Sequence, residues 1–388
     1  MQKKLIALAI AGLSSTAFAQ SNVEIYGLFD ICVANYSGIS QGTDGNNVAR
    51  TNGTVGSGSS TQVAGGCSSS SRLGFRGTEK LGNGMNASFV IETNLATDGN
   101  ASAQGGGNTG LDLAGPRQMI LAVDGGFGKI SAGKMYTPFF STVTAVDPFG
   151  SVGIANAGII HPLTANVARA ASSLMYSSPS FSGFSFSYLY GMSENYDRIA
   201  TTVGGHTMSW NALYVNGPLV LGVAQIHLAD VGLNSALASA ATLGVGVSST
   251  AIGGMYDFGV VKLHLANNRA KSSGMAVNLD HNDWLLGLSK TWGAHTVKGV
   301  YNHADDKAAT NMDANHWGLG YEYGMSKRTT LYTTYAKVSN KNGAHYAVNF
   351  SGTSGTFATH GVASGSLAGN GAATNRETGF VAGIKHSF

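Results

Sequence analysis

Two arginines, Arg72 and Arg76, lie four residues apart in the stretch "SRLGFRG" (71–77), with Leu73 and Phe75 alternating with them. If this stretch is a β-strand, the arginines share one face and the two apolar side chains share the other. The arginines would then lie about 13 Å apart along the strand. A row of fixed positive charges can select anions, provided that water reaches it, because burying an unpaired guanidinium group is costly.

Two short motifs resemble those of enzymes but lack the necessary context. The pentad "GISQG" (38–42) fits the G-x-S-x-G pattern, yet it lies in a polar loop without the turn that exposes a nucleophile. The run "GGGNTG" (105–110) fits a dinucleotide-binding pattern, but no helix follows it. With 55 glycines in the chain, such matches arise by chance, and the eleven histidines show no metal-ligand spacing. The sequence therefore predicts no enzyme, no cofactor and no metal site.

The start of the chain has the features of a secretory signal. Two lysines precede an apolar run (5–13), and "AFA" (17–19) is a small-x-small cleavage site. The apolar run is far shorter than the roughly 20 residues of a membrane helix, so we expect residues 1–19 to be removed. The chain has 23 basic and 20 acidic residues, and losing those two lysines leaves a net charge of about +1. This balance offers no electrostatic basis for binding nucleic acid.

The two cysteines, Cys32 and Cys67, flank a loop between neighbouring predicted strands. An exported chain enters an oxidising compartment, where a disulfide can form. The sequence leaves both a disulfide and two free thiols open.

Sixteen alternating segments recur along the rest of the chain. They are 23–34, 71–81, 84–96, 117–125, 128–136, 168–178, 181–191, 206–216, 218–229, 250–259, 260–270, 283–293, 294–304, 316–325, 327–338 and 377–388. Short turns alternate with long polar connections, and the longer of these include 35–70, 97–116, 137–167, 230–249 and 339–376. This pattern predicts a 16-stranded antiparallel transmembrane β-barrel spanning 20–388, with short turns on one rim and long loops on the other. A soluble β-sandwich is the alternative, but its loops need not alternate in length.

The orientation of the strands follows from the cost of charge in lipid. An arginine facing lipid near the midplane costs roughly 2–4 kcal/mol, so Arg72 and Arg76 should face the lumen. By the same alternation, Asp30 on the first strand and Glu92 on the third face inward. A barrel of sixteen strands is too wide for side chains to fill and leaves an aqueous channel.

The connection 137–167 is too apolar for a solvated loop and too interrupted by glycine and proline for a strand pair. We expect it to fold into the lumen, narrow the pore and place Asp147 opposite the wall arginines. A plain external loop with an apolar patch is the alternative.

The last segment, "TGFVAGIKHSF", places Phe380, Ile384 and Phe388 on one face and Lys385 on the other. In a closed barrel this strand pairs with the first one, so the chain terminus seals the wall.

Five runs, in order along the chain, resemble the general diffusion porins of Gram-negative bacteria, specifically the trimeric beta-proteobacterial type. They are "VEIYGLFD", "SRLGFRGTEKLGNGM", "RQMILAVDGGFGKISAGKMYTP", "SKRTTLYTTYAKV" and "GIKHSF". The resemblance covers the whole mature chain. It implies an outer-membrane homotrimer with periplasmic turns, extracellular loops and a third loop that constricts each pore.

The resemblance also implies a basic cluster on the pore wall facing acidic groups. The implied basic residues are Arg72, Arg76, Arg117, Lys134 and Arg169, and the acidic ones are Asp147 on the third loop with Glu92 and Asp30 on the wall. A glutamate is more usual than Asp147 in related loops, and no second carboxylate occurs in 137–167. We therefore expect a passive channel for small hydrophilic solutes and ions with a weak to moderate anion preference.

The implied partners are outer-membrane lipid and lipopolysaccharide, and the outer-membrane assembly machinery, which would read Phe388 as its signal. The sequence leaves two alternative functions. A substrate-specific channel would show an aromatic track along the lumen. A barrel-embedded lipid hydrolase would need Ser, His and Asn or Asp together on the outer wall.

Overall fold

A computed structural model describes most of the predicted barrel. The described residues are 22–40, 57–95, 97, 116–159, 168–192, 205–229, 246–273, 279–308, 311–342, 344, 346, 348 and 376–388. The predicted signal segment 1–19 and the run 105–110 lie outside them, as do residues 41–42 of the "GISQG" pentad.

Strands make up most of the described residues. Those of the first half are β1 (Asn22–Ser40), β2 (Ser57–Gly65), β3 (Arg72–Gly82), β4 (Met85–Asn94), β5 (Gln118–Gly125), β6 (Gly128–Tyr136), β7 (Arg169–Ser177), β8 (Phe184–Gly191) and β9 (Thr207–Asn216). Those of the second half are β10 (Leu219–Leu228), β11 (Gly246–Asp257), β12 (Lys262–Ser273), β13 (Asp280–Trp292), β14 (His295–Ala304), β15 (Ala314–Gly324), β16 (Thr329–Asn340) and β17 (Arg376–Ser387). One α-helix, α1 (Pro138–Val146), and a 3-10 turn (Ala157–Ile159) lie between β6 and β7. Within the described ranges, no helix is long and apolar enough to span a membrane.

The strands form one antiparallel sheet that closes on itself. The closing pair is β1 with β17, which aligns Leu28 with Ser387 and Ser37 with Thr378. The start of β1 pairs with β3 and its end pairs with β2. Strands β2 and β3 are therefore two pieces of one wall position, and the predicted sixteen-stranded barrel is confirmed.

The interrupted second wall position was not predicted. Strand β2 falls within 35–70, which the sequence assigned to a loop, and β1 runs on to Ser40. The stretch "SGSSTQVAG" lacks apolar alternation, so only pairing with β1 identifies it as a strand.

The two faces of the wall follow the predicted alternation. On β1, the side chains of Val23, Ile25, Phe29 and Val33 are about half exposed on the outside, whereas Asp30 is fully buried. On β17, Phe380 and Ile384 are exposed and Val381, between them, is buried. The outer face is thus the apolar one.

The segment after β6 turns into the barrel. The Thr137 side chain accepts a hydrogen bond from Phe140 N, and Pro138 occupies the first turn, which together start α1. Phe139 is fully buried, and its N–H donates to Ser209 Oγ on the inner face of β9 (3.0 Å). The helix therefore lies against the inner wall. Of the predicted inward loop 137–167, residues 160–167 lie outside the described part.

Candidate pore-lining site

Two arginines share one carboxylate on the inner wall. Arg117, just before β5, donates from Nε to Glu92 Oε1 on β4 (2.7 Å). Arg72 Nε on β3 lies 3.8 Å from Glu92 Oε2. The side chains of Arg117 and Glu92 are only 4% and 6% exposed, whereas that of Arg72 is 31% exposed. These three groups, which we call the arginine triad, carry a formal net charge of +1.

Arg169 joins the triad through a tyrosine. The Tyr136 hydroxyl accepts hydrogen bonds from Arg117 Nη2 and Arg169 Nη2, each 2.7 Å long. The Arg169 guanidinium also lies 4.4 Å from the Tyr136 ring centroid, a cation–π distance. The ring stacks with Phe140 of α1 at 5.4 Å. The start of the inward segment is thus joined to the basic cluster.

A glycine allows a second tyrosine to reach the triad. Tyr26 on β1 donates to Glu92 Oε2 on β4 (3.0 Å), so its ring passes over the strand between them. On that strand, a Cβ atom at position 74 would lie 2.3 Å from Tyr26 Cζ. Gly74 therefore makes the Tyr26–Glu92 hydrogen bond possible.

Arg76 has a carboxylate of its own. It donates two hydrogen bonds to Glu24 on β1, from Nε and Nη2, each 2.8 Å long. Both side chains are more than half exposed, and exposed ion pairs contribute little to stability. The Arg76 guanidinium also lies 5.0 Å from the ring centroid of Tyr26, which bonds Glu92, so Arg76 is next to the triad and has its own carboxylate partner.

Lys134 lies on β6 at a β-bulge. The pairing of β6 with β7 shifts register between Gly133 and Met135, and Gly133 has a φ of 121°. An extra residue in one strand interrupts the alternation of faces, so the assignment of Lys134 to the basic cluster stays a prediction.

Asp30 is on the inner face but is not a free pore charge. Its Oδ2 accepts hydrogen bonds from Ser68 N (2.7 Å) and Ser69 N (2.6 Å), and Tyr332 donates its hydroxyl to Oδ1. The carboxylate therefore accepts hydrogen bonds from backbone N–H groups at the break between β2 and β3. It is fully buried.

The two cysteines meet at the same break. A disulfide joins Cys32 on β1 to Cys67, with the Cα atoms 6.2 Å apart. Both side chains are buried. The bond ties the residues between β2 and β3 to the middle of β1.

Asp147 differs from its expected role opposite the arginines. Its Oδ1 accepts from Phe149 N (2.8 Å), and its Oδ2 accepts from Ser151 N (3.1 Å) and Ala157 N (2.8 Å). The side chain is buried, and burial raises the pKa of Asp147 although these amides act in the opposite direction. The carboxylate therefore stabilises the turn of the inward segment after α1.

A second group of charges on the inner wall was not predicted from the sequence. Lys298 on β14 and Lys385 on β17 both approach Glu322 on β15, with N–O distances of 2.8 and 3.5 Å. Each side chain is 20–22% exposed. We call this group the lysine triad; its formal net charge is also +1. The available signal was a charged residue at an inward position of each strand.

The arrangement suits passage of ions rather than covalent chemistry. In each triad, one carboxylate is flanked by two cations, so each leaves one positive charge on the wall. Within the described ranges, no group of three or more His, Cys, Asp or Glu side chains could hold a metal ion.

The chain is similar to known proteins in both sequence and fold. A family model described as "Gram-negative porin" matches residues 5–343. The outer membrane porin protein 32 of Delftia acidovorans is 30% identical over 404 residues, covering 100% of both chains. An outer membrane porin protein of Bordetella pertussis is 31% identical over 87% of this chain and 94% of that protein.

Among solved structures, an anion-selective porin from Comamonas acidovorans has a TM-score of 0.73 and 26% identity. The match covers 95% of this chain and 100% of that one. OmpT of Vibrio cholerae has a TM-score of 0.65 at 15% identity, which reflects a shared fold; this match covers 95% of this chain and 98% of that one.

Proposed function

Because this chain belongs to the Gram-negative porin family, we propose that it forms a general diffusion channel for small hydrophilic solutes and ions with a weak to moderate preference for anions. The protein is an integral outer-membrane β-barrel. As a porin it is a channel protein rather than an enzyme.

The arginine triad is the observation that carries the anion preference. Arg72 and Arg117 share Glu92, so one positive charge is left without a carboxylate partner in the group. Arg169 adds a further charge through Tyr136. The similar porin from Comamonas acidovorans is anion-selective, which supports the same preference here. Fixed charges beside a narrow pore choose among permeant ions.

Further features are proposed from the family resemblance. The mature chain begins after residue 19, and segment 137–167 is the third loop that constricts the pore. Three copies assemble in contact with lipid and lipopolysaccharide, and Phe388 is read by the assembly machinery. Arg76, Glu24 and the lysine triad supply additional wall charges along the permeation path.

A planar bilayer containing the purified protein tests the proposal. We expect stepwise conductance in groups of three and a reversal potential, in a salt gradient, of the sign that indicates anion preference. A cation-selective reversal potential would refute the preference, and the absence of conductance would refute the channel. A strong, saturable preference for one solute would instead favour a substrate-specific channel.

A further inference from the structure

Two histidines of the inner wall bind the inward segment on either side of its turn. Nδ1 of His264, on β12, lies 2.7 Å from the carbonyl oxygen of Val146, the last residue of α1. A carbonyl oxygen can only accept, so this nitrogen carries the hydrogen. The other ring nitrogen of His264 is 2.9 Å from Ser289 Oγ, which holds the ring in place.

His316 makes the matching contact from β15 with its other nitrogen. Its Nε2 lies 3.0 Å from the carbonyl oxygen of Ile154 and therefore donates to it. Its Nδ1 is 3.0 Å from Asn302 Nδ2, which can only donate, so Nδ1 accepts. His316 is fully buried and His264 is nearly so. Each ring is thus held between the wall and the segment.

Glycines of the same wall let the segment approach closely. A Cβ atom on Gly287 would lie 2.8 Å from Pro148 Cγ, and one on Gly320 would lie 2.7 Å from Phe149 Cε1. A Cβ atom on Gly318 would lie 2.4 Å from Ala155 Cβ. Larger residues at these positions would push the segment from the wall towards the lumen.

The segment is also rigid between the two histidines. The Asp147 carboxylate accepts three backbone N–H groups, the farthest from Ala157. A stiff turn held at both ends has one position, whereas a turn released at either end can move into the pore.

We propose that His264 and His316 are positioning residues that set the width of the pore by holding residues 146–155 against strands β12 to β15. The proposal rests on the proposed channel function. The histidines act on permeation through the segment that they hold.

Single-channel recordings of amide replacements test the donor geometry. Replacing both histidines by alanine should abolish the single open level and produce several fluctuating levels. His264→Asn places an amide nitrogen near the position of Nδ1, and His316→Gln places one near Nε2, so these two variants should keep one level. The exchanged replacements, His264→Gln and His316→Asn, should not. His295→Ala, on the outer face of β14, is the matched control.

Gly318→Ala provides a second test. It should displace Ala155 and lower the conductance, while Gly299→Ala, where the nearest atom to a new Cβ is 4.0 Å away, should not. Heat-modifiable gel mobility confirms that each variant is folded.

If the wild type conducts but the alanine pair keeps one stable level, or if matched and exchanged amides behave alike, the positioning role is wrong and the channel stands. If the conductance of Gly318→Ala equals that of the wild type, the proposed link between the position of the segment and the pore width is also wrong. A wild type that does not conduct refutes the channel function itself, and this inference with it.

Discussion

Arg117 Nε and Glu92 Oε1 lie 2.7 Å apart in a pair that is almost completely buried, while the second oxygen of Glu92 faces the more exposed Arg72. One carboxylate thus serves both a structural contact and the charge of the pore wall. Removing it should change stability and ion selectivity together.

Replacing Glu92 by glutamine should increase the anion preference, because Arg72 and Arg117 both lose their counter-charge. It should also destabilise the barrel, since breaking a buried ion pair costs about 3–5 kcal/mol. The reversal potential and the temperature of heat modification measure the two effects. Glu24→Gln is the control: its partner Arg76 is exposed, so we expect little loss of stability. Equal destabilisation by both variants would contradict the structural role of Glu92.

Neutralising the wall arginines should move selectivity the other way. With Arg72, Arg117 and Arg169 replaced by glutamine, we expect a shift of the reversal potential towards cations. Arg72→Gln alone should give much of the shift with little loss of stability, because this side chain is the most exposed of the triad. An unchanged reversal potential would show that these residues are not the selectivity filter.

The lysine triad should add to this effect. Replacing Lys298 and Lys385 by glutamine leaves Glu322 without its cations. We expect a further shift towards cations, roughly additive with the arginine variants because the groups share no partner. Lys290→Gln is the control, since Lys290 bonds Gly259 O at a turn. A shift as large in the control would mean that the measurement reports overall charge.

The disulfide should stabilise the break between β2 and β3. Closing the 35-residue separation of Cys32 and Cys67 reduces the entropy of the unfolded chain by an amount worth about 4 kcal/mol. Reductant, or replacement of both cysteines by alanine, should lower the temperature of heat modification. The double-alanine variant should not respond to reductant. If its temperature equals that of the oxidised wild type, the bond contributes nothing to stability.

The chain terminus should act in barrel closure and in assembly, and these roles can be separated. Phe388 exchanges backbone hydrogen bonds with Gly27 at 3.2 and 3.1 Å, and its ring lies over Gly27 on the outer face. Phe388→Ala keeps the backbone pairing, so folding into detergent should survive while the amount in the outer membrane falls. Phe388→Tyr should restore it. If Phe388→Ala does not fold in detergent, the role of Phe388 is in closing the barrel alone.

The alternation of side chains was enough to predict the sixteen wall positions and the direction of Leu73 and Asp30. The inner and outer faces differ in polarity along most strands, and the local sequence shows this difference. Strand β2 was not predicted from the sequence, because most of its residues are small or polar. It is a strand only through its pairing with β1.

The roles of individual charges were less predictable. Asp30 and Asp147 were predicted to be pore carboxylates. In the structure, both accept backbone N–H groups at irregular points of the chain. The sequence does not reveal where a backbone will lack partners.

The sequence by itself determined the barrel, its two faces and the inventory of charges, because strand periodicity and the exclusion of charge from lipid act residue by residue. The tertiary structure alone decided which charges neutralise one another. Arg76 and Glu24 are 52 residues apart in sequence, and Lys298 and Glu322 are 24 apart. Whether such residues meet depends on strand register and side-chain reach, which exist only once the wall has closed.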